Sequence, residues 1–129
     1  MLTIISAIVA ALLAWIFNRF IVRFWGDPAI IVIIPFIEET LKSLIPFLVQ
    51  ASIFYCHFIF GVIEAIWDIK VNVKGLKPGL MSILTHTLFG IMTVAVYRLA
   101  GYLSLGIMAG ITLHILWNRC IIHISDRLR

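Results

Sequence analysis

Charge is scarce in this chain: 12% of its 129 residues are Asp, Glu, Lys or Arg, against about 25% in ordinary soluble domains. Together with 63% hydrophobic residues and a mean hydropathy of +1.13, that scarcity excludes an ordinary soluble domain and points to an integral membrane protein. Cysteine is scarce as well. Cys56 and Cys120 lie inside apolar runs without CxxC or His-rich spacing, so they read as small buried hydrophobes rather than a disulfide or a zinc site. No HExxH occurs, and no internal repeat of the kind that builds inverted-repeat transporters is evident. Nor does a positive charge precede the first apolar run, whereas Arg19 and Arg23 follow it, which is the reverse of a cleavable signal peptide.

What is present is long apolar runs. Five spans of about 20 residues each consume nearly the whole chain and leave no room for a soluble domain. The expected architecture is therefore all-α and polytopic, a single transmembrane domain over residues 1–129. Residues 1–27 form a first span and turn, 28–124 a four-helix core, and 125–129 a charged cytoplasmic tail. The spans are predicted over Leu2 to Val22, Ala29 to Val49, Ser52 to Trp67, Leu80 to Tyr97 and Leu103 to Ile124. Asp27 is a plausible cap before Pro28, and Asp68 to Gly79 is the one clear polar loop. Pro35 and Pro46 complicate the second span, and residues 29–34 either continue the helix or form a short re-entrant piece.

The net charge of +4 and pI near 9.4 fit topology better than nucleic acid. Arg19, Arg23, Lys70, Lys74, Lys77, Arg119, Arg127 and Arg129 fall beside one set of span ends, and only Arg98 beside the other. The positive-inside rule then places the N-terminus outside and the C-terminus in the cytoplasm. Ser6, Ala10 and Ala14 repeat small side chains every four residues, a face for close helix packing. Gly106 and Gly110 form a GxxxG that serves either a homodimer or packing inside the chain.

Against this background the ionisable groups inside the spans stand out, because each costs roughly 2.5–3.5 kcal/mol at a helix centre on insertion scales. The second span carries Glu38, Glu39 and Lys42. At spacings of four and three, the lysine reaches either carboxylate, and one charge is left over. Glu64, His86, His114 and Asn118 lie in the following spans. A rise of about 1.5 Å per residue puts Glu38 and Glu39 roughly 14 Å from the cytoplasmic side, His114 roughly 15 Å, His86 and Asn118 roughly 9–11 Å, and Glu64 roughly 5–7 Å. Four helices thus bring polar side chains to the cytoplasmic half of the bilayer, where a polar cavity is expected. Gly90, one turn from His86, leaves space for a neighbouring backbone or a substrate, and His57 and His123 are left outside the site. Carboxylates, imidazoles and a carboxamide around water are the parts of a hydrolytic site, with a carboxylate activating water and donors holding the oxyanion.

These residues resemble, in order, the motifs of the glutamic intramembrane proteases, the superfamily of the CAAX prenyl endopeptidase and bacteriocin-processing enzymes, and especially its PrsW-type members. Glu38-Glu39-Thr40-Leu41-Lys42 matches EExxK, Phe60-Gly61-Val62-Ile63-Glu64 matches FxxxE, His86 supplies the third motif, and His114-Ile115-Leu116-Trp117-Asn118 matches HxxxN. The resemblance covers about Pro35 to Asn118 and implies an endopeptidase acting on a membrane-embedded or juxtamembrane peptide, with no cofactor. It implies that Glu38 or Glu39 is the general base, that His86, His114 and Asn118 hold water and oxyanion, and that Lys42 and Phe60 support them. Glu64 stands where CAAX-type members have histidine, so it would orient a histidine or bind water. Competing expectations are a zinc site on Glu64, His86 and His114, a non-catalytic membrane scaffold of the same fold, and a small proton transporter.

Overall fold

The computed structural model describes residues 1–71 and 75–127, apart from the side chains of Asp27, Ser125 and Asp126. The cap predicted at Asp27, residues 72–74 of the polar loop and the last two residues of the tail therefore lie outside the described residues. Among those described there are six helices and no strand: α1 (Leu2–Trp25), α2 (Asp27–Ile31), α3 (Ile33–Leu48), α4 (Ile53–Val71), α5 (Leu76–Ala100) and α6 (Leu103–Arg127). Three of them, α1, α5 and the Leu103–Ile124 part of α6, are long and apolar enough to cross a membrane.

The span predicted over Ala29 to Val49 is divided. Gly26, at φ 63°, ends α1 by donating its N–H to Val22 O and turns the chain into the five-residue α2. A break at Val32 then separates α2 from α3. Pro35 costs α3 nothing, because it falls in the first turn, where backbone N–H groups have no intrahelical partner. Pro46 lies in the last turn, and the helix stops just beyond it, with Gln50 in the left-handed region at φ 54°. At 16 residues, α3 is about 24 Å long, shorter than a hydrocarbon core of about 30 Å.

The other corrections run towards more helix. Asp68 to Val71 close α4 and Leu76 to Gly79 open α5, so most of the expected polar loop is helical. The turn expected over Arg98 to Tyr102 shrinks as α5 continues to Ala100, and α6 runs through Arg127 into the expected tail. Polar composition hid this: a helix that leaves an apolar layer goes on satisfying its own backbone in water.

The small-residue face of α1 packs as expected. Ser6, Ala7, Ala10 and Ala14 are all buried, with α1 set against α3 and α4, and Ala10 and Ala14 touch Phe60. In a lipid setting apolar side chains gain little by leaving their surroundings, so close van der Waals packing of small residues holds helices together. The outward surface of α1 exposes Leu2, Ile5, Ile16, Phe20 and Phe24, the kind of apolar face that lipid or another protein covers. Gly106 and Gly110 are spent inside the chain, on α5. A Cβ on Gly110 would lie 2.6 Å from Thr93 Oγ1 and 2.9 Å from Glu39 Oε2. Cys56 is buried, but Cys120 is exposed, against expectation.

Candidate active site

Buried polar side chains from α3, α4, α5 and α6 meet around one carboxylate. Glu39 is fully buried, and its Oε1 receives Lys42 Nζ at 2.7 Å and His114 Nδ1 at 2.9 Å. Its Oε2 lies 3.5 Å from His57 Nδ1. Lys42 and Glu39 share one turn of α3, whereas His57 comes from α4 and His114 from α6. Isolated, such a carboxylate would carry a desolvation cost of several kcal/mol. Here the Lys42 ammonium and the His114 N–H offset it at Oε1, while Oε2 makes no hydrogen bond among the described residues.

Lys42 ties this centre to a second one. Its Nζ lies 2.8 Å from His86 Nδ1 and 3.8 Å from Glu38 Oε2, and it stands 4.4 Å above the Phe60 ring. An ammonium only donates, so His86 Nδ1 accepts and its Nε2 carries the hydrogen. That Nε2–H is donated to Glu64 Oε2 at 2.5 Å, and the same oxygen accepts from Ser82 Oγ at 3.0 Å. His86 therefore has both ring nitrogens committed, and Glu64 orients it. Phe60 and Phe89 pack edge-on against the His86 ring, and Phe89 also stacks on His114 at 4.8 Å.

A cavity of about 950 Å³ opens beside these groups. Glu38, Glu64, His86 and His114 line it, together with Asn18, and its walls are apolar, including Leu12 and Trp15 of α1, Trp67 of α4, Met81 of α5 and Trp117 of α6. Glu39 does not line it. The adjacent glutamates thus divide: one is withdrawn among cations and donors, and the other faces the hollow. Glu38 Oε1 accepts from Asn18 Nδ2 at 2.7 Å, and Glu38 Oε2 has Lys42 only at 3.8 Å.

Of the residues expected at the site, Glu38, Glu39, Lys42, Phe60, Glu64, His86 and His114 are brought together. Asn118 lines the same cavity, but its Nδ2 donates to the Ile30 carbonyl at 2.9 Å, which ties α6 to α2. His57, set aside in the sequence, belongs to the cluster: it is fully buried, with Nε2 3.1 Å from Ser43 Oγ. It also takes the space beside Gly90, where a Cβ would come within 2.7 Å of His57 Cβ. The spacing held a signal for these residues. Ser43 is one turn from Glu39, and His57 is two turns from Glu64. Asn18, on a helix without any of the motifs, had none beyond being an amide in an apolar run.

Two groups have the donor types and proximity for a metal ion, Glu39 with His86 and His114, and Glu38 with Glu64 and His86. Both need His86, whose two nitrogens are engaged by Lys42 and Glu64. In the first group, moreover, the Lys42 ammonium already lies against Glu39 and His86. A metal in the first group would have to displace Lys42, and one in the second would have to replace the hydrogen that His86 Nε2 shares with Glu64. No protein-family model, characterised protein or solved structure matches this chain.

Proposed function

We propose that this protein is a membrane-embedded hydrolase, and within that class a glutamic endopeptidase that cleaves a peptide bond inside or beside the bilayer. One observation carries the reading: of two adjacent glutamates, Glu38 faces a cavity while Glu39 is withdrawn onto Lys42 and His114. A structural ion pair needs one carboxylate. The second, which lines the cavity and whose Oε2 accepts no hydrogen bond among the described residues, is what a general base requires.

In this mechanism Glu38 Oε2 takes a proton from water, and the hydroxide adds to the scissile carbonyl carbon. His114 lines the cavity and donates its Nδ1–H to Glu39, and its Nε2 has no protein partner among the described residues. In its charged form, balanced by Glu39, that ring donates Nε2–H to the oxyanion. As the carbon–nitrogen bond breaks, Glu38 passes its proton to the leaving amine. Glu64 and Ser82 hold His86, and His86 with Glu39 holds Lys42, so the base keeps a cation nearby without being captured by it. The order of the motifs along the chain supports the same assignment, as does an apolar-walled cavity suited to an apolar peptide segment. A multi-pass topology with the N-terminus outside and the cavity towards the cytoplasm belongs to this proposal.

The test is cleavage of a pooled library of apolar peptides by purified protein in lipid nanodiscs, read by mass spectrometry. Glu38→Gln is expected to lower turnover by on the order of 100-fold or more while thermal unfolding stays close to wild type. Undiminished turnover in that variant would overturn the assignment. A wild-type protein that cuts nothing while moving protons across proteoliposomes would overturn the class.

A further inference from the structure

We infer that Asn18, on the helix that carries none of the motif residues, is a positioning residue for the base: it holds the Glu38 carboxylate away from Lys42 so that one oxygen faces the cavity. The inference rests on the hydrolase reading and deepens the account of the same site. Asn18 Nδ2 donates to Glu38 Oε1 at 2.7 Å, and this is the only hydrogen bond its side chain makes among the described residues. Its Oδ1 is buried and has no hydrogen-bond partner among the described residues. An amide left half-satisfied inside an apolar helix is less stable than a leucine in the same place would be. Packing therefore does not explain it, whereas a bond to Glu38, a carboxylate that lines the cavity, does.

Geometry also shows what that bond opposes. Glu38 and Lys42 are one turn apart on α3, a spacing at which glutamate and lysine ordinarily close into an ion pair. Here the pair is held at its long limit, 3.8 Å, while Lys42 lies 2.7 Å from Glu39 and 2.8 Å from His86. The terminal torsion of a glutamate is broad, so nothing within Glu38 itself fixes the plane of its carboxylate. With Oε1 tied to α1, Oε2 is the oxygen left for water. Without Asn18 the carboxylate is free to turn onto the ammonium, and a base paired in that way takes protons less readily. On this account α1 contributes to the chemistry as well as to packing.

The experiment compares Asn18→Leu, close in size but without hydrogen-bonding groups, with Asn18→Gln, which restores an amide. Both are measured in nanodiscs on whichever library peptide the wild type cleaves fastest. Asn18→Leu is expected to lower kcat by on the order of tenfold to a hundredfold with KM within about twofold, and Asn18→Gln to recover part of the loss. In the Glu38→Gln background, Asn18→Leu should cost no further activity, because groups acting through one another are not additive. A folded Asn18→Leu with wild-type kcat, or one in which only KM rises, overturns the inference. If Asn18→Leu does not fold, Asn18→Gln and Asn18→Ser decide by the same split. The hydrolase reading fails separately, when wild type and Glu38→Gln behave alike. In that case a double-mutant cycle on thermal unfolding between Asn18→Leu and Glu38→Gln still tests the bond: measurable coupling upholds it, and additivity ends it.

Discussion

Replacing Lys42 by methionine removes a charge and keeps most of the volume, so its effect isolates the electrostatics at the centre of the fold. The lysine is fully buried and in contact with four groups: Glu39 at 2.7 Å, His86 at 2.8 Å, Glu38 at 3.8 Å and the face of Phe60 at 4.4 Å. Removing one partner of a buried pair leaves the other charge uncompensated, which costs about 3–5 kcal/mol. Replacing both with neutral groups of similar shape is far gentler. Lys42→Met is therefore expected to lose about 3–5 kcal/mol of stability, whereas adding Glu39→Gln to it should restore most of that loss. Glutamine has the shape of the carboxylate and keeps an acceptor for His114 Nδ1, so the rescue does not empty the site. The measurement is equilibrium unfolding of the two single variants and the double in one detergent, closed as a cycle. If Lys42→Met unfolds within about 1 kcal/mol of wild type, which is the ceiling for an exposed pair, the ammonium is not holding a buried carboxylate, and the argument fails. Additive losses in the double variant would refute it as surely.

Two further outcomes follow from the same geometry. Gly90→Ala places a methyl 2.7 Å from His57 Cβ, an overpacking expected to cost about 1–3 kcal/mol, and the cost should shrink when His57 is replaced by glycine, which removes that Cβ; equal costs in both backgrounds, measured by thermal unfolding, would show that α4 and α5 do not meet there. Because Lys42 and Glu64 occupy both nitrogens of His86, peptide cleavage should be unchanged after dialysis against a chelator, and loss of cleavage restored by added zinc would reverse that conclusion.

How much of this was legible beforehand varies by residue. The helices of α1, α5 and α6 could be read directly, since an apolar run of such length has few alternatives to a helix when lipid offers the backbone no hydrogen bonds. Glu38, Glu39, Lys42, Glu64, His86 and His114 could be picked out for the related reason that ionisable groups are too costly in such runs to lack a role. The break at Val32 was harder, because α2 and α3 are continuous in composition and only local backbone geometry divides them. Asn118 could be placed only in part: its spacing from His114 puts it on the cavity side, where it lies, but does not show the bond that its Nδ2 donates to the Ile30 carbonyl. His57 was discounted because depth along a helix says nothing of what a neighbouring helix presents there, which here is the carboxylate of Glu39.

The amino-acid sequence alone determined an all-helical, strongly apolar chain and singled out most of the groups that meet in the buried polar cluster, because hydrophobicity and charge are properties of single residues and their spacing. Which glutamate faces the cavity, the use of both His86 nitrogens, and the arrival of Asn18 at Glu38 were decided only by tertiary structure. Each depends on how helices distant in sequence are rotated and shifted against one another, and no spacing within a single helix encodes that.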